Sequence, residues 1–122
     1  MDGLIVKADI VESGSNANGS YIKYSDGTMI CMKEVSADVT WSAWATYWQE
    51  SSSISLGDFP QAFKTGTVPF EIVQSKNSSA SMSVSGASSV TATSAGYVRG
   101  YRPNNPGTVT AVIDVIAIGK WI

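Results

Sequence analysis

Hydrophobic and polar side chains alternate with a period of two along much of this chain. From Val35 onward, Val35, Ala37, Val39, Trp41 and Ala43 share one parity, while Ser36, Asp38, Thr40 and Ser42 share the other. Such alternation predicts a strand with one buried face. Trp41, Trp44 and Trp48 also stand at helical spacing, but the local wealth of Val, Thr, Trp and Tyr favours strand. Parity shifts near Trp44, so a bulge or turn is expected within residues 42–46. Upstream, residues 21–24 and 28–33 are β-forming runs joined by Ser25, Asp26 and Gly27. Gly27 reaches positive φ without a Cβ clash and Asp26 tolerates left-handed geometry. The pair therefore predicts a tight hairpin against which further strands are laid.

Further strands are expected over residues 67–75, 81–85, 97–102 and 108–121, with a short edge strand around Val90. Val68, Phe70 and Ile72 share a face of the first; Tyr97, Arg99 and Tyr101 share a face of the third, with Val98 opposite. Residues 76–79 and 103–107 carry turn chemistry. Phe59, Pro60, Gln61, Ala62 and Phe63 predict one helical turn capped by Asp58, with its two rings plugging the end of a sandwich. The last strand is apolar both ways. Val109, Ala111, Ile113, Val115 and Ala117 lie on one face; Val112, Ile116 and Ile118 lie on the other, interrupted by Asp114. A two-layer sandwich covers one face only, so the other is expected to meet another copy of the chain. Residues 12–18 are polar with nothing to bury and read as a linker. The expected fold is an all-β antiparallel sandwich of about eight short strands over residues 19–122, preceded by a linker over residues 1–18.

Composition narrows the chemistry. The 122 residues suit one domain, and only 15% are charged, against about 25% in typical domains. Ser, Thr, Asn and Gly must then cover the surface. The formal net charge is −2 and no basic cluster exists, so neither nucleic acid nor an anionic membrane surface is an expected partner. With no His and one Cys, a zinc site, a Ser-His-Asp triad, a Cys-His dyad and an intrachain disulfide are all excluded. Neither metal nor cofactor is expected. No apolar run reaches the roughly 18 residues that span a bilayer, and the first residues lack a secretory pattern. Synthesis in a reducing cytoplasm without membrane insertion is the expectation, with Cys31 as a buried free thiol.

Paired carboxylates are the remaining catalytic option, drawn from Asp38, Glu50, Asp58, Glu71 and Asp114. Glycoside hydrolysis needs two carboxyls about 5–10 Å apart across a cleft. No spacing here fixes such a pair, and a non-enzymatic role is expected. Asp114, a charge within an apolar strand, is expected to pair with Arg99 or Arg102. Trp41, Trp44, Tyr47 and Trp48 concentrate four large rings in eight residues. Trp41 is expected inside by parity; Trp44, Tyr47 and Trp48 are candidates for stacking on a sugar ring. Tyr97, Arg99, Tyr101 and Arg102 form a second candidate set, whose guanidinium groups suit the carboxylates or phosphates of a glycan.

Three segments also carry a resemblance. Asn18-Gly19-Ser20-Tyr21-Ile22-Lys23-Tyr24-Ser25-Asp26-Gly27-Thr28-Met29-Ile30-Cys31, then Phe59-Pro60-Gln61-Ala62-Phe63, then Ala117-Ile118-Gly119-Lys120-Trp121 span residues 18–121 in order. Together they resemble the tip domain of bacteriophage tail fibres. The resemblance implies a C-terminal receptor-binding domain in a homotrimeric virion tail fibre, made in the host cytoplasm and joined to the rest of the fibre. Residues 1–18 would then be the shaft end. The implied function is adhesion to a host surface glycan or outer-membrane protein, without a reaction. The competing readings are a stand-alone lectin-like module, a trimerisation cap without a receptor site, and a weak glycan depolymerase.

Overall fold

The computed structural model describes residues 9–45, 47–76, 82–103 and 109–122. These residues form strands β1 (Ile10–Asn16), β2 (Gly19–Tyr24), β3 (Thr28–Val39), β4 (Trp41–Ala45), β5 (Trp48–Ser51), β6 (Ile54–Ser55), β7 (Phe70–Ser75), β8 (Ser83–Val84), β9 (Tyr97–Val98), β10 (Gly100–Pro103) and β11 (Val109–Lys120). All pairings are antiparallel. A large sheet runs β1-β2-β3-β11-β7, a small one β4-β5-β10-β8, and β6 pairs with β9. The fold is an all-β sandwich, with more strands than the sequence suggests because several are only two residues long.

Period-two alternation decides which side chains go inside. In β3, Met29, Cys31 and Val39 are buried; in β11, Ala111, Ile113, Val115 and Ala117 are buried. These residues line the inner face of the large sheet. The small sheet and the β6–β9 pair cover part of it, with Trp41, Val84, Val98 and Ile54 joining the core. Residues 56–69 cover the rest. Leu56, Phe59 and Phe63 are buried there, and the two Phe rings meet edge to face at 5.0 Å. A Cβ on Gly119 would stand 2.9 Å from the Phe63 ring, so this close approach of loop to sheet requires glycine. The Asp26-Gly27 turn forms as expected, with Gly27 at φ 92°. The strand end closes onto it: Trp121 donates its amide to the Gly27 carbonyl at 2.9 Å and its indole N–H to the Tyr24 carbonyl at 2.9 Å.

Four expectations change. Residues 12–16, read as linker, belong to β1, paired with β2 from Asn16–Gly19 to Ile10–Tyr24. An edge strand is held by main-chain hydrogen bonds and needs no apolar face, so the tract carries no hydrophobic signal. Residues 59–63 form a bend, not a helical turn. The Phe59 and Phe63 amides donate to the Thr93 and Ala92 carbonyls, so those donors are spent on a neighbouring segment. Val90 lies outside any strand; its stretch contributes isolated bridges, Ser88 to Tyr97 and Asp58 to Ser94. Asp114 meets neither arginine: it lies opposite Glu34 and Gln74 on the outer face of the large sheet, where its negative charge acts on Lys76. The expected shift near Trp44 is present as a register irregularity between Ala43 and Ala45. The predicted turns at 76–79 and 103–107 fall largely outside the described residues.

Two inward polar groups give measurable consequences. Cys31 is buried, its thiol 3.8 Å from the Gln61 carbonyl oxygen, and burial pushes its pKa up to about 11. The thiolate is the reactive form, so native protein should resist a thiol reagent at neutral pH and label at once when denatured. Fast native labelling would contradict this burial. Glu71 responds to burial in the same direction. Its two carboxyl oxygens are shielded from solvent and have no hydrogen-bond partner among the described residues. Burial raises its pKa from 4.5 to about 7, against the attraction of Lys33. Because the folded pKa is the higher one, the neutral acid favours folding; that contribution is complete below about pH 4.5 and lost as pH rises through about 7. Glu71→Gln should therefore gain stability over wild type at pH 8 but not at pH 4. Allowing for solvent screening of a partly exposed residue, denaturant titrations should show a gain of about 1–2 kcal/mol at pH 8 and none at pH 4.

Candidate functional site

The small sheet sorts the candidate residues by parity. Its inner face carries Trp41, Gln49, Ser51, Gly100, Arg102 and Val84; its outer face carries Ser42, Trp48, Glu50, Tyr101 and Ser83. The register fixes these neighbours: Glu50 lies directly across from Tyr101 on one side and Ser42 on the other, Tyr101 also faces Ser83, and Trp48 faces Pro103. Arg99, between β9 and β10, reaches the same outer face and donates from Nη1 to Glu50 Oε1 at 2.6 Å. Its main chain is pinned to β8's end: its amide donates to Ser85 Oγ at 3.0 Å and its carbonyl accepts from the Ser85 amide at 2.9 Å.

Trp48 is 44% exposed, Tyr47 in the adjoining turn 76% and Tyr97 46%. Tyr101 is half-buried. Tyr97, Arg99 and Tyr101 thus share a face, with Val98 and Gly100 buried on the other. Trp44 lies in β4, but its side chain lies outside the described residues. Arg102 departs from the expected set. It is 2% exposed, on the inner face, with its guanidinium 4.2 Å above the Trp41 ring and its Nε donating to Gln49 Oε1 at 3.2 Å. The aromatic face delocalises some of the cost of burying this cation. Alternation alone placed it opposite Tyr101, but its charge argued for the surface. Glu50 and Gln49 are the residues that sequence reasoning left out of the site. Their signal was positional: β5 sits between the two aromatic segments.

The carboxylates are spread over the fold, with Asp58 and Glu71 both acting on Lys33. Asp38 accepts from Thr110 Oγ1 at 2.6 Å and lies with Asp114 on the large sheet's outer face. Glu50 is on the small sheet's outer face, and Glu71 points inward. Asp58 sits in the covering loop, where its carbonyl accepts from Lys33 Nζ at 2.7 Å. Among the described residues, no three His, Cys, Asp or Glu side chains gather as a bound cation needs.

The second exposed feature is the outer face of the large sheet. The ladder aligns Ile22, Ile30, Ile118 and Phe70 in one row and Ser20, Met32, Ile116 and Ile72 in the next. Phe70 is 68% exposed and Ile116 43%. At the edge of the second row lies a shallow depression of about 440 Å3, lined in part by Met32, Ile116, Glu34 and Asp114. Lys76 bridges to Glu34 at 3.0 Å beside it.

No family model matches this chain, and no curated protein matches it. Among solved structures it is similar to the P. aeruginosa R1 pyocin fibre comprising C-terminal residues 323–701, with TM-score 0.53 and 18% identity. The match covers 89% of this chain and 28% of that one. Truncating Trp48 tests the outward placement of the aromatic set. Trp48→Ala should cost less than about 1 kcal/mol in a denaturant titration, against about 3–5 for a core aromatic. A core-sized loss would put the ring inside. At this identity, the likeness is one of fold: this all-β sandwich is a fold that occurs in a pyocin fibre.

Proposed function

We propose that this chain is a domain of a phage-tail-type fibre that binds a host surface glycan through the outer face of the small sheet. The observation that carries this reading is that Trp48, Tyr101 and the Arg99–Glu50 pair share the outer face of the small sheet, with Tyr47 exposed in the turn before Trp48 and Tyr97 exposed two residues before Arg99. Such rings offer wide contact area at low entropy cost, and the flanking polar groups supply direction. The fold likeness to a pyocin fibre, the three tail-fibre-like segments and the charge-poor surface support the fibre context.

The proposed assembly is a homotrimer joined to the rest of a fibre. The apolar rows on the large sheet's outer face support it, since each fully covered aliphatic side chain gains about 1.5–3 kcal/mol over leaving it in water. Closed symmetry would also stop that surface from associating without end. The binding face points away from these rows, so three sites remain open at once, and weak single contacts add to firm attachment. The proposed role is adhesion without a reaction.

Fluorescently labelled protein on a panel of Gram-negative cells tests this. Binding should be abolished by periodate, which cleaves vicinal diols, and should survive protease treatment of the cells. Trp48→Ala, still folded, should bind at least about tenfold more weakly. Binding that survives periodate and is lost to protease would replace the glycan by an outer-membrane protein. Binding to no strain would remove the receptor-binding role.

A further inference from the structure

Two arginines in an aromatic set suggest affinity for anions, but the geometry points elsewhere. Arg102 is spent on the inner face against Trp41 and Gln49. Arg99 reaches outward, yet its Nη1 lies 2.6 Å from Glu50 Oε1. Among the described residues of the platform face, the Arg99 and Glu50 charges stand paired and cancel. We infer that this platform takes neutral pyranose sugars and discriminates against acidic ones. This rests on the receptor-binding reading above and narrows it to a class of glycan.

The discrimination follows from what an anion would meet. A carboxylate or phosphate docking on Arg99 either stands against the Glu50 carboxylate or displaces it. The first is a like-charge contact. The second strips Glu50, whose side chain is only 20% exposed, of the cation that offsets its burial. A sugar hydroxyl meets neither penalty, because it both donates and accepts. Neighbouring ring hydroxyls can accept from the remaining Arg99 N–H groups and donate to Glu50 with the ion pair intact. Trp48 and Tyr101 then present ring faces to the apolar C–H face of the same pyranose. Glu50 sits directly across from Tyr101 in the ladder, with Trp48 two residues to one side and Arg99 two residues to the other, so the polar and stacking contacts adjoin along one face.

Immobilised neutral gluco-, galacto- and manno-oligosaccharides, and matched probes bearing uronic acid, sialic acid or phosphate, test the inference. Wild type should prefer neutral probes by at least about tenfold, and its binding should change less than about twofold between low and high salt, since no net charge is exchanged. Arg99→Gln should weaken neutral binding about tenfold. Glu50→Gln, which leaves Arg99 without its counter-charge, should shift preference toward the acidic probes. Thermal unfolding of each variant confirms that the face is intact. A wild-type preference for acidic probes, weakened by salt and lost in Trp48→Ala, would overturn the inference while leaving the receptor-binding platform standing. Binding of neither class, or binding indifferent to Trp48→Ala, would overturn both.

Discussion

Twelve residues of β3 run against twelve of β11 without a register shift, and the rest of the fold hangs from this ladder. A strand has two faces, and an uninterrupted ladder of this length commits every side chain to one or the other. The inner face of the pair holds Met29, Cys31, Val39, Ala111, Ile113, Val115 and Ala117, and is sealed by the small sheet and the 56–69 loop. The outer face inherits Ile30, Met32, Ile116 and Ile118 by the same alternation. Flanking strands extend it with Ile22, Phe70 and Ile72 rather than relieving it. A surface of this kind is a liability for a solitary chain, and it is the physical reason for the proposed trimer. The three tail-fibre-like segments converge around one end of the ladder: the hairpin receives Trp121, Gly119 receives Phe63, and Cys31 faces the Gln61 carbonyl. They are the segments that close the fold at that end of the ladder.

That outer face is built on different economics. Its inner side stores a buried cation, Arg102, against an indole ring, and a buried hydroxyl, Ser51 Oγ, that accepts from the Gly100 amide at 2.7 Å. These contacts fix β5 and β10 relative to each other, and so fix the spacing of Trp48, Glu50, Arg99 and Tyr101 above them. Positioning lies on one side of the sheet and the proposed recognition on the other. Neutralising Arg99 with Glu50 keeps the exposed side free of net charge, in keeping with a chain of few charges overall.

Much of this was legible in the sequence, because period-two alternation reports burial directly. It grouped the side chains of β11 and of the second half of β3 by face, marked the irregularity near Trp44 and put Tyr97, Arg99 and Tyr101 together, while turn chemistry gave the hairpin and the nature of a lone small thiol gave the buried Cys31. It could not give polarity at a sheet edge. Phe70 and Ile72 share a face as expected, but that face is the exposed one, and Val68, exposed too, precedes the strand, while Glu71 turns inward; an edge strand's pattern records what it will meet as readily as what it covers. Backbone-only elements left no trace either, as β1 shows. Phe59 to Phe63 misled for a local reason: capping chemistry suits a helical turn, but distant carbonyls of Ala92 and Thr93 claim the amides. At the site, the rings were visible and their electrostatics were not. The pairing of Arg99 with Glu50 spans 49 residues, and Arg102's descent into the core needs Trp41 from another strand.

Sedimentation velocity of the wild-type chain at micromolar concentration tests the central claim, that the outer face of the β3–β11 ladder is covered by other copies of the chain. The account predicts one species of three 12.9 kDa chains, and its loss to monomer or aggregate in Ile116→Asp but not in Ser52→Asp on the opposite side. A wild-type chain that sediments as a stable, soluble monomer would contradict it.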